Sequence, residues 1–446
     1  MKKIIAMLTA LLLSFCMVTL AGCMGTNNTE TEEQTIYYFN FKPEIAEVFE
    51  EIAKTYKDEK GVNVKVVTAA SGTYEQTLKS EMAKSDAPTI FQINGPKGYA
   101  NWKDYCKDLK NTKLYDILTD KSLAITNDGG VYGIPYVVEG YGIIYNADIM
   151  DKYFALEDKA VTINSTEEIN SFETFKAVVE DMTKLKDKLG IEGVFGATSL
   201  KSGEDWRWHT HLANIPIYNE FVENNTDLSG EETAKIAFKY AENFKNIFDL
   251  YINNSTTDKK LLGSKSVADS MAEFALGKCA MIQNGNWAWS QINNVEGNTV
   301  KEEDIKFLPI YTGTKSDATQ GLCIGTENFI CINKNASEEK QKLAEDFLYW
   351  LYSSDTGKKF VTEKLDFIAP FNTFTENEVP NDPLAKEIIR WMNKDNVTTV
   401  PWNFTVFPSQ NFKDSFGSAL LSYAQGKTTF EELKNKVVSE WEKESK

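Results

Sequence analysis

The sequence predicts an α/β protein built as two lobes, and three observations lead there. At 446 residues the chain exceeds what one ordinary hydrophobic core accommodates. Its first periodic stretch alternates strand, helix and strand, the pattern of a parallel sheet covered by helices. Strand-rich sequence like that of 35–138 recurs around 305–332, so one lobe is expected to combine discontinuous pieces of chain. A hydrophobic content of 42% with 25% charged residues is that of a globular chain.

Taken in order, TIYYFN (35–40) is rich in β-formers, and Pro43 opens a helix. In that helix Ile45, Val48, Phe49, Ile52, Ala53 and Tyr56 fall on one face, and Gly61 ends it. VNVKVV (62–67) reads as the second strand, TYEQTLKSEMAKS as a helix, and PTIFQIN (88–94) as a third strand closed by Gly95-Pro96. GIPYVVEGYGIIYN (133–146) reads as two short strands around Glu139-Gly140. Helices are expected over 171–189, with Phe172, Phe175, Val178, Val179, Met182 and Leu185 as the apolar stripe, and over 231–252. A strand IKFLPIY (305–311) follows the NGNWAW turn at 284–289. Ser337 caps the next helix, and Thr429 with Glu432 forms a capping box for the last.

The first 23 residues have a Lys2-Lys3 start, an apolar run and small residues before Cys23, the layout of a secretory signal. Leu20-Ala21-Gly22-Cys23 is similar to a bacterial lipobox, which implies a signal peptide over 1–22 and lipidation at Cys23. Residues 23–34 are polar and aperiodic, a flexible tether. No later stretch approaches the roughly 20 apolar residues of a membrane span. A net charge of −17 argues against nucleic acid and anionic membrane surfaces as partners, and against an anionic small molecule, although local charge overrides a total. Beyond Cys16 and Cys23, the cysteines Cys106, Cys279, Cys323 and Cys331 lie in apolar sequence and read as buried thiols. Cys323 and Cys331 fall on one strand-like run.

Most signatures of catalysis are missing, although 65 acidic residues leave a carboxylate pair for glycoside hydrolysis open. Gly426-Lys427-Thr428 lacks the first glycine of a phosphate loop, there is no G-x-S-x-G, and His209 and His211 have no cluster to complete a metal site. No cofactor or metal is expected. What does repeat is aromatic, amide and acidic residues at the ends of elements: Asn94, Glu139, Trp206, Trp208, Trp287, Trp289, Trp402, Phe404 and Phe407. Flat rings suit the CH faces of a hydroxyl-rich ligand, and amides and carboxylates suit its edges. Loop ends of α/β sheets are also where ligands bind.

Three stretches then carry a resemblance: GIPYVVEGYGIIYNADI (133–149), FALGKCAMIQNGNWAWSQI (274–292) and SFGSALLSYAQGKTTFEEL (415–433). From about 35 to 440 the chain resembles the family 1 extracellular solute-binding proteins of carbohydrate ABC transporters, the group that includes maltose-binding protein. The resemblance implies a type II periplasmic-binding-protein-like fold, two α/β lobes joined by a hinge around a ligand cleft. The implied lobes are 35–138 plus 310–365 and 142–306 plus 368–446, with crossings near 138–142, 306–312 and 365–369. It implies that Glu139 bonds sugar hydroxyls and that Trp287 stacks on the sugar. Asn94 and Lys97 lie where the family has another polar pair. Trp206 and His211 fall in a segment that contributes an aromatic and an acid, and Trp402 lies near a further stacking position. Asn40, Tyr141 and Phe404 complete the candidate ligand-binding set. The implied protein is a monomeric receptor, lipid-anchored on the outer face of the cytoplasmic membrane, that hands an oligosaccharide of maltooligosaccharide type to permease subunits. The competing readings are a receptor for a peptide or polyol and a secreted carbohydrate-active enzyme.

Overall fold

Strand β1, Thr35–Asn40, sets the pattern of the first lobe through its two-residue period. Ile36 and Tyr38 enter one buried cluster, and Tyr37 and Phe39 enter another on the opposite face. A strand apolar on both faces requires cover on both, and helices supply it. The computed structural model describes residues 35–445 apart from 71, 197–198, 227 and 229–233, so the expected signal peptide, tether and Cys23 lie outside the described residues.

The remaining strands in chain order are β2 Asn63–Thr68, β3 Ile90–Asn94, β4 Ile125–Asn127, β5 Gly130–Pro135, β6 Glu139–Asn146, β7 Gly193–Phe195, β8 Cys279–Gly285, β9 Ile305–Leu308, β10 Gln320–Gly325, β11 Asn328–Ile332 and β12 Thr398–Val400. They form two sheets. The first runs β2-β1-β3-β11-β5-β4, and the second runs β12-β10-β6-β8-β7 with β9 also on β6. Around β1 the pairing is parallel, as the strand–helix–strand opening predicts. Helix Ala46–Lys60 makes the connection and buries Phe49, Ile52, Ala53 and Tyr56. β11 enters antiparallel between β3 and β5, so the late segment does complete the first sheet.

The division near residue 310 differs from expectation. The strand at 305–308 pairs with β6, Ile143 opposite Leu308, and β10 pairs with β6 as well, Gly325 opposite Glu139. β10 therefore belongs to the second sheet and carries 310–325 with it into the second lobe, so the second crossing lies at 326–327 rather than at 306–312. IKFLPIY is apolar enough for either sheet, and only its partner decides. The first crossing is 136–138, where the Val138 N–H donates to the Ile368 carbonyl at 2.8 Å and ties it to the third. Cys323 and Cys331 consequently sit on strands of different sheets, and the four cysteines after residue 34 are free and buried. The helix expected from 231 begins at Ala241, while Ser337 and the Thr429–Glu432 box cap as predicted.

A candidate ligand cleft between the lobes

β1 and β3 end side by side at Asn40 and Asn94, and β11 begins opposite Asn94 at Asn328. These ends face the second lobe. The Asn40 side chain is fully used within the chain. Its Nδ2 donates to the Lys42 carbonyl at 2.8 Å and to Thr68 Oγ1 at 3.2 Å, and its Oδ1 accepts from the Lys42 N–H at 3.2 Å. Asn40 thus fixes the turn that projects Lys42. Lys42 Nζ meets both oxygens of Glu139, at 2.7 and 2.9 Å, with both residues buried. Burial works against the Lys42 ammonium, but the carboxylates of Glu139 and Glu44 outweigh it and hold its pKa above the ordinary value. Burial raises the pKa of Glu139 against the pull of Lys42. The bidentate geometry makes this an ionised pair spanning the first lobe and the first residue of β6.

Asn94 Oδ1 and Asn328 Oδ1 are buried without a partner. Gly95, just after Asn94, has φ of +59°, and a Cβ there would lie 2.6 Å from the Thr405 Cβ of the second lobe. Glycine is what permits the lobes to touch at this point. Pro96 follows in the first turn of helix Gly95–Trp102, so the expected loop is a helix start with Lys97 on it.

On the second lobe the chain forms a π-helix over Arg207–Leu212. Its i→i+5 bonding brings residues four and five apart onto one face, so Trp206 and His211 meet at 4.7 Å between ring centroids. His211 stacks flat on Tyr141 at 4.0 Å, and the Tyr141 hydroxyl donates to the His211 carbonyl at 3.1 Å. Burial holds the pKa of His211 well below its ordinary value, with Arg207, His209 and Lys413 adding to the effect. Phe404 and Trp402 lie 5.1 and 6.0 Å from His211. Asn214 pins the loop that carries both rings, its Nδ2 donating to the Pro401 carbonyl at 3.0 Å and its Oδ1 accepting from the Phe404 N–H at 3.1 Å.

NGNWAW completes the cage. β8 continues through Asn284 and Gly285, and Tyr141 of β6 stands opposite Gly285. The Trp287 ring folds back over Gly285, where a Cβ would come within 2.2 Å of it. Trp287 is thereby held 5.9 Å from Trp206 and 6.3 Å from Trp402, with Lys42 Nζ 6.0 Å from its ring. Trp289 turns away and is buried among Phe274, Ile292 and their neighbours. Asn286 accepts from the Gly140 N–H at 2.9 Å and so couples the turn to the first crossing.

Six of the candidate residues, Tyr141, Trp206, His211, Trp287, Trp402 and Phe404, are therefore gathered into one aromatic cluster. Asn94 and Glu139 lie at the first-lobe and hinge side. Two expected contacts change character: Asn40 is committed to Lys42, and both Glu139 oxygens are committed to Lys42 rather than left to a ligand. Lys42, Arg207 and Asn328 were missed. Lys42 carried a signal, a cation between a strand end and a helix-opening proline; Arg207 and Asn328 carried none without the fold.

Two α/β lobes joined by three crossings, with an aromatic cage and unpartnered polar atoms where they meet, define a hinged receptor for a small solute. The chain belongs to the bacterial extracellular solute-binding proteins, whose family model matches residues 51–387. It is a binding protein and not an enzyme. It is 22% identical over 416 residues to the multiple sugar-binding protein of Streptococcus mutans, covering 87% of this chain and 90% of that one. Among solved structures it is similar to a chitin oligosaccharide binding protein, with a TM-score of 0.70, 18% identity and coverage of 92% and 98%. A solute-binding protein in complex with raffinose gives a TM-score of 0.69, 19% identity and coverage of 92% and 100%. These likenesses establish the type II two-lobed fold.

Proposed function

We propose that this receptor captures an oligosaccharide between its lobes and delivers it to the permease of an ABC transporter. One observation carries the reading. Unpartnered buried acceptors on the first lobe, Asn94 Oδ1 and Asn328 Oδ1, face a second lobe with unpartnered buried donors, Arg207 Nη1 and Trp402 Nε1, beside a cage of rings. Each such atom costs about 1–3 kcal/mol when buried without a partner. A sugar hydroxyl both donates and accepts, and a pyranose offers CH faces to rings, so a saccharide satisfies all three features together. A peptide would bring amide groups in extended register, for which the cage offers no matching ladder.

The names of similar proteins, for multiple sugars, chitin oligosaccharide and raffinose, favour the oligosaccharide class, and maltooligosaccharides belong to the set to be tested. Calorimetric titration with such a panel, followed by chromatography of the recovered ligand, tests the reading. Micromolar or tighter binding of one saccharide, returned intact, is expected. Binding of peptides alone would overturn it. The lipobox ending at Cys23 places the mature chain, in this proposal, on the outer face of the cytoplasmic membrane as a lipid-anchored monomer. Mass spectrometry of the membrane fraction tests this: a diacylated N-terminal Cys23 is expected, and an unmodified secreted chain would contradict it.

A further inference from the structure

Arg207 is 3% exposed, a buried cation beside the cage. Its guanidinium lies 3.9 Å over the Trp206 ring, and its Nε donates to Asn284 Oδ1 at 3.2 Å. Its Nη1 is buried without a partner. Its own carbonyl accepts from Gln283 Nε2 at 2.7 Å, so backbone and side chain are both held in place. Two carboxylates act on it from a distance, and both are occupied elsewhere. Glu204 Oε1 takes Lys201 at 2.8 Å and its Oε2 takes the Val267 N–H at 2.6 Å. Glu44 lies 3.7 Å from Lys42. Among the described residues none pairs with Arg207 by salt bridge. Lys42, also buried, has Glu139, while Lys413, whose charge reaches His211, is opposed at a distance by Glu327, Glu75 and Asp414.

Buried charges are ordinarily paired, because desolvating an isolated ion is costly. A planar guanidinium held by a ring on one side and an amide on the other, with Nη1 left over, is preorganised for a carboxylate. We propose that the saccharide taken by this cleft carries a uronic acid, and that Arg207 reads its carboxylate. The inference rests on the saccharide reading above. Net charge opposes an anion only at long range, where salt screens it; within the cage Arg207 supplies the local field. The sugar ring bearing the carboxylate then lies against Trp206 and Trp287, and its hydroxyls meet Asn94 and Asn328.

The test starts from a panel of oligogalacturonides, glucuronate-branched xylo-oligosaccharides, raffinose, chitin oligosaccharides and maltotriose, ranked by thermal shift. The tightest ligand is expected to be a uronate, and reducing its carboxyl to a hydroxymethyl group should weaken binding by calorimetry about tenfold or more. Arg207→Gln should bind the acidic and reduced forms alike. Should that variant melt far below the parent, Arg207→Lys keeps the charge and should retain the preference in weakened form. A neutral tightest ligand, or a reduced form bound within threefold of the acid by the unaltered protein, overturns the inference and leaves the saccharide reading standing. Failure of every saccharide to bind overturns both.

Discussion

Lys42 and Glu139 decide more of the cleft's character than any ring. Removing one member of a buried ion pair leaves the other charged and unpaired, a loss of about 3–5 kcal/mol, whereas replacing both by neutral side chains of similar size loses far less. Lys42→Met and Glu139→Gln are each expected to lower stability by about that amount in urea unfolding, and the double variant to recover most of it. Additive losses would show that the 2.7 Å contact is not an energetic unit. Trp287 stands differently. It is half-buried over Gly285 and packs edge-on to Trp402 at the margin of the second lobe's core. Trp287→Ala is therefore expected to weaken saccharide binding about tenfold or more while leaving the unfolding midpoint nearly unchanged. An unaltered dissociation constant with a lowered midpoint would make the ring structural. At this scale the sequence was informative where residue type signals its use, as for the tryptophans after an Asn-Gly pair. It could not reveal that Glu139 is claimed by Lys42, because that pair joins positions 97 residues apart.

Among elements, the π-helix Arg207–Leu212 sets the two histidines apart. At i, i+2 His209 and His211 would share a face only on a strand; on this helix they point apart and have separate roles. His209 packs under helix Gln410–Ala424 with Asp205 3.6 Å from its Nε2, and His211 lies in the cage. Burial lowers the pKa of both. Asp205 and Asp414 oppose this at His209, where Lys413 adds to it, and no carboxylate opposes it at His211. Both rings stay neutral in the folded protein below the ordinary histidine pKa of about 6.5, while the unfolded chain takes up protons there. The unfolded state then binds more protons, so stability falls as pH drops through and below that value. Buried carboxyls with raised pKa values, Asp382 pushed up to about 7 among them, act in the opposite direction, so the histidine contribution is read as a difference: between pH 7.5 and 5 the melting temperature of ligand-free His211→Gln should lose less than that of the parent. An unchanged slope in the variant would mean that His211 titrates normally when folded. Helices with caps and one-sided stripes, such as those opened by Ser337 and Thr429, were legible because their determinants are local. The allocation of β9 and β10 was not, since their apolar sequence fits either sheet and Gly325 beside Glu139 is a long-range fact.

For the whole molecule, the two lobes meet through the Lys42–Glu139 pair and the approach of Gly95 to Thr405, and only three crossings connect them. In this arrangement Asn94, Asn328, Arg207 and Trp402 each keep a buried polar atom without a partner. Opening returns those atoms to water, and in the proposed reading a bound saccharide gives them partners, so that ligand would favour the closed arrangement over the open one. Hinge bending at 136–138, 326–327 and near Ile368 is the motion that the connections allow. Two lobes and a discontinuous chain were legible from length and the return of strand-rich sequence; that the second crossing falls at 326–327 was not. Small-angle X-ray scattering with and without the saccharide found by titration tests the central claim most directly. The account predicts a smaller radius of gyration at saturation, with the ligand-free profile that of a more open pair of lobes. Superimposable profiles, with binding confirmed in the same sample, would contradict closure of the two lobes around a sugar.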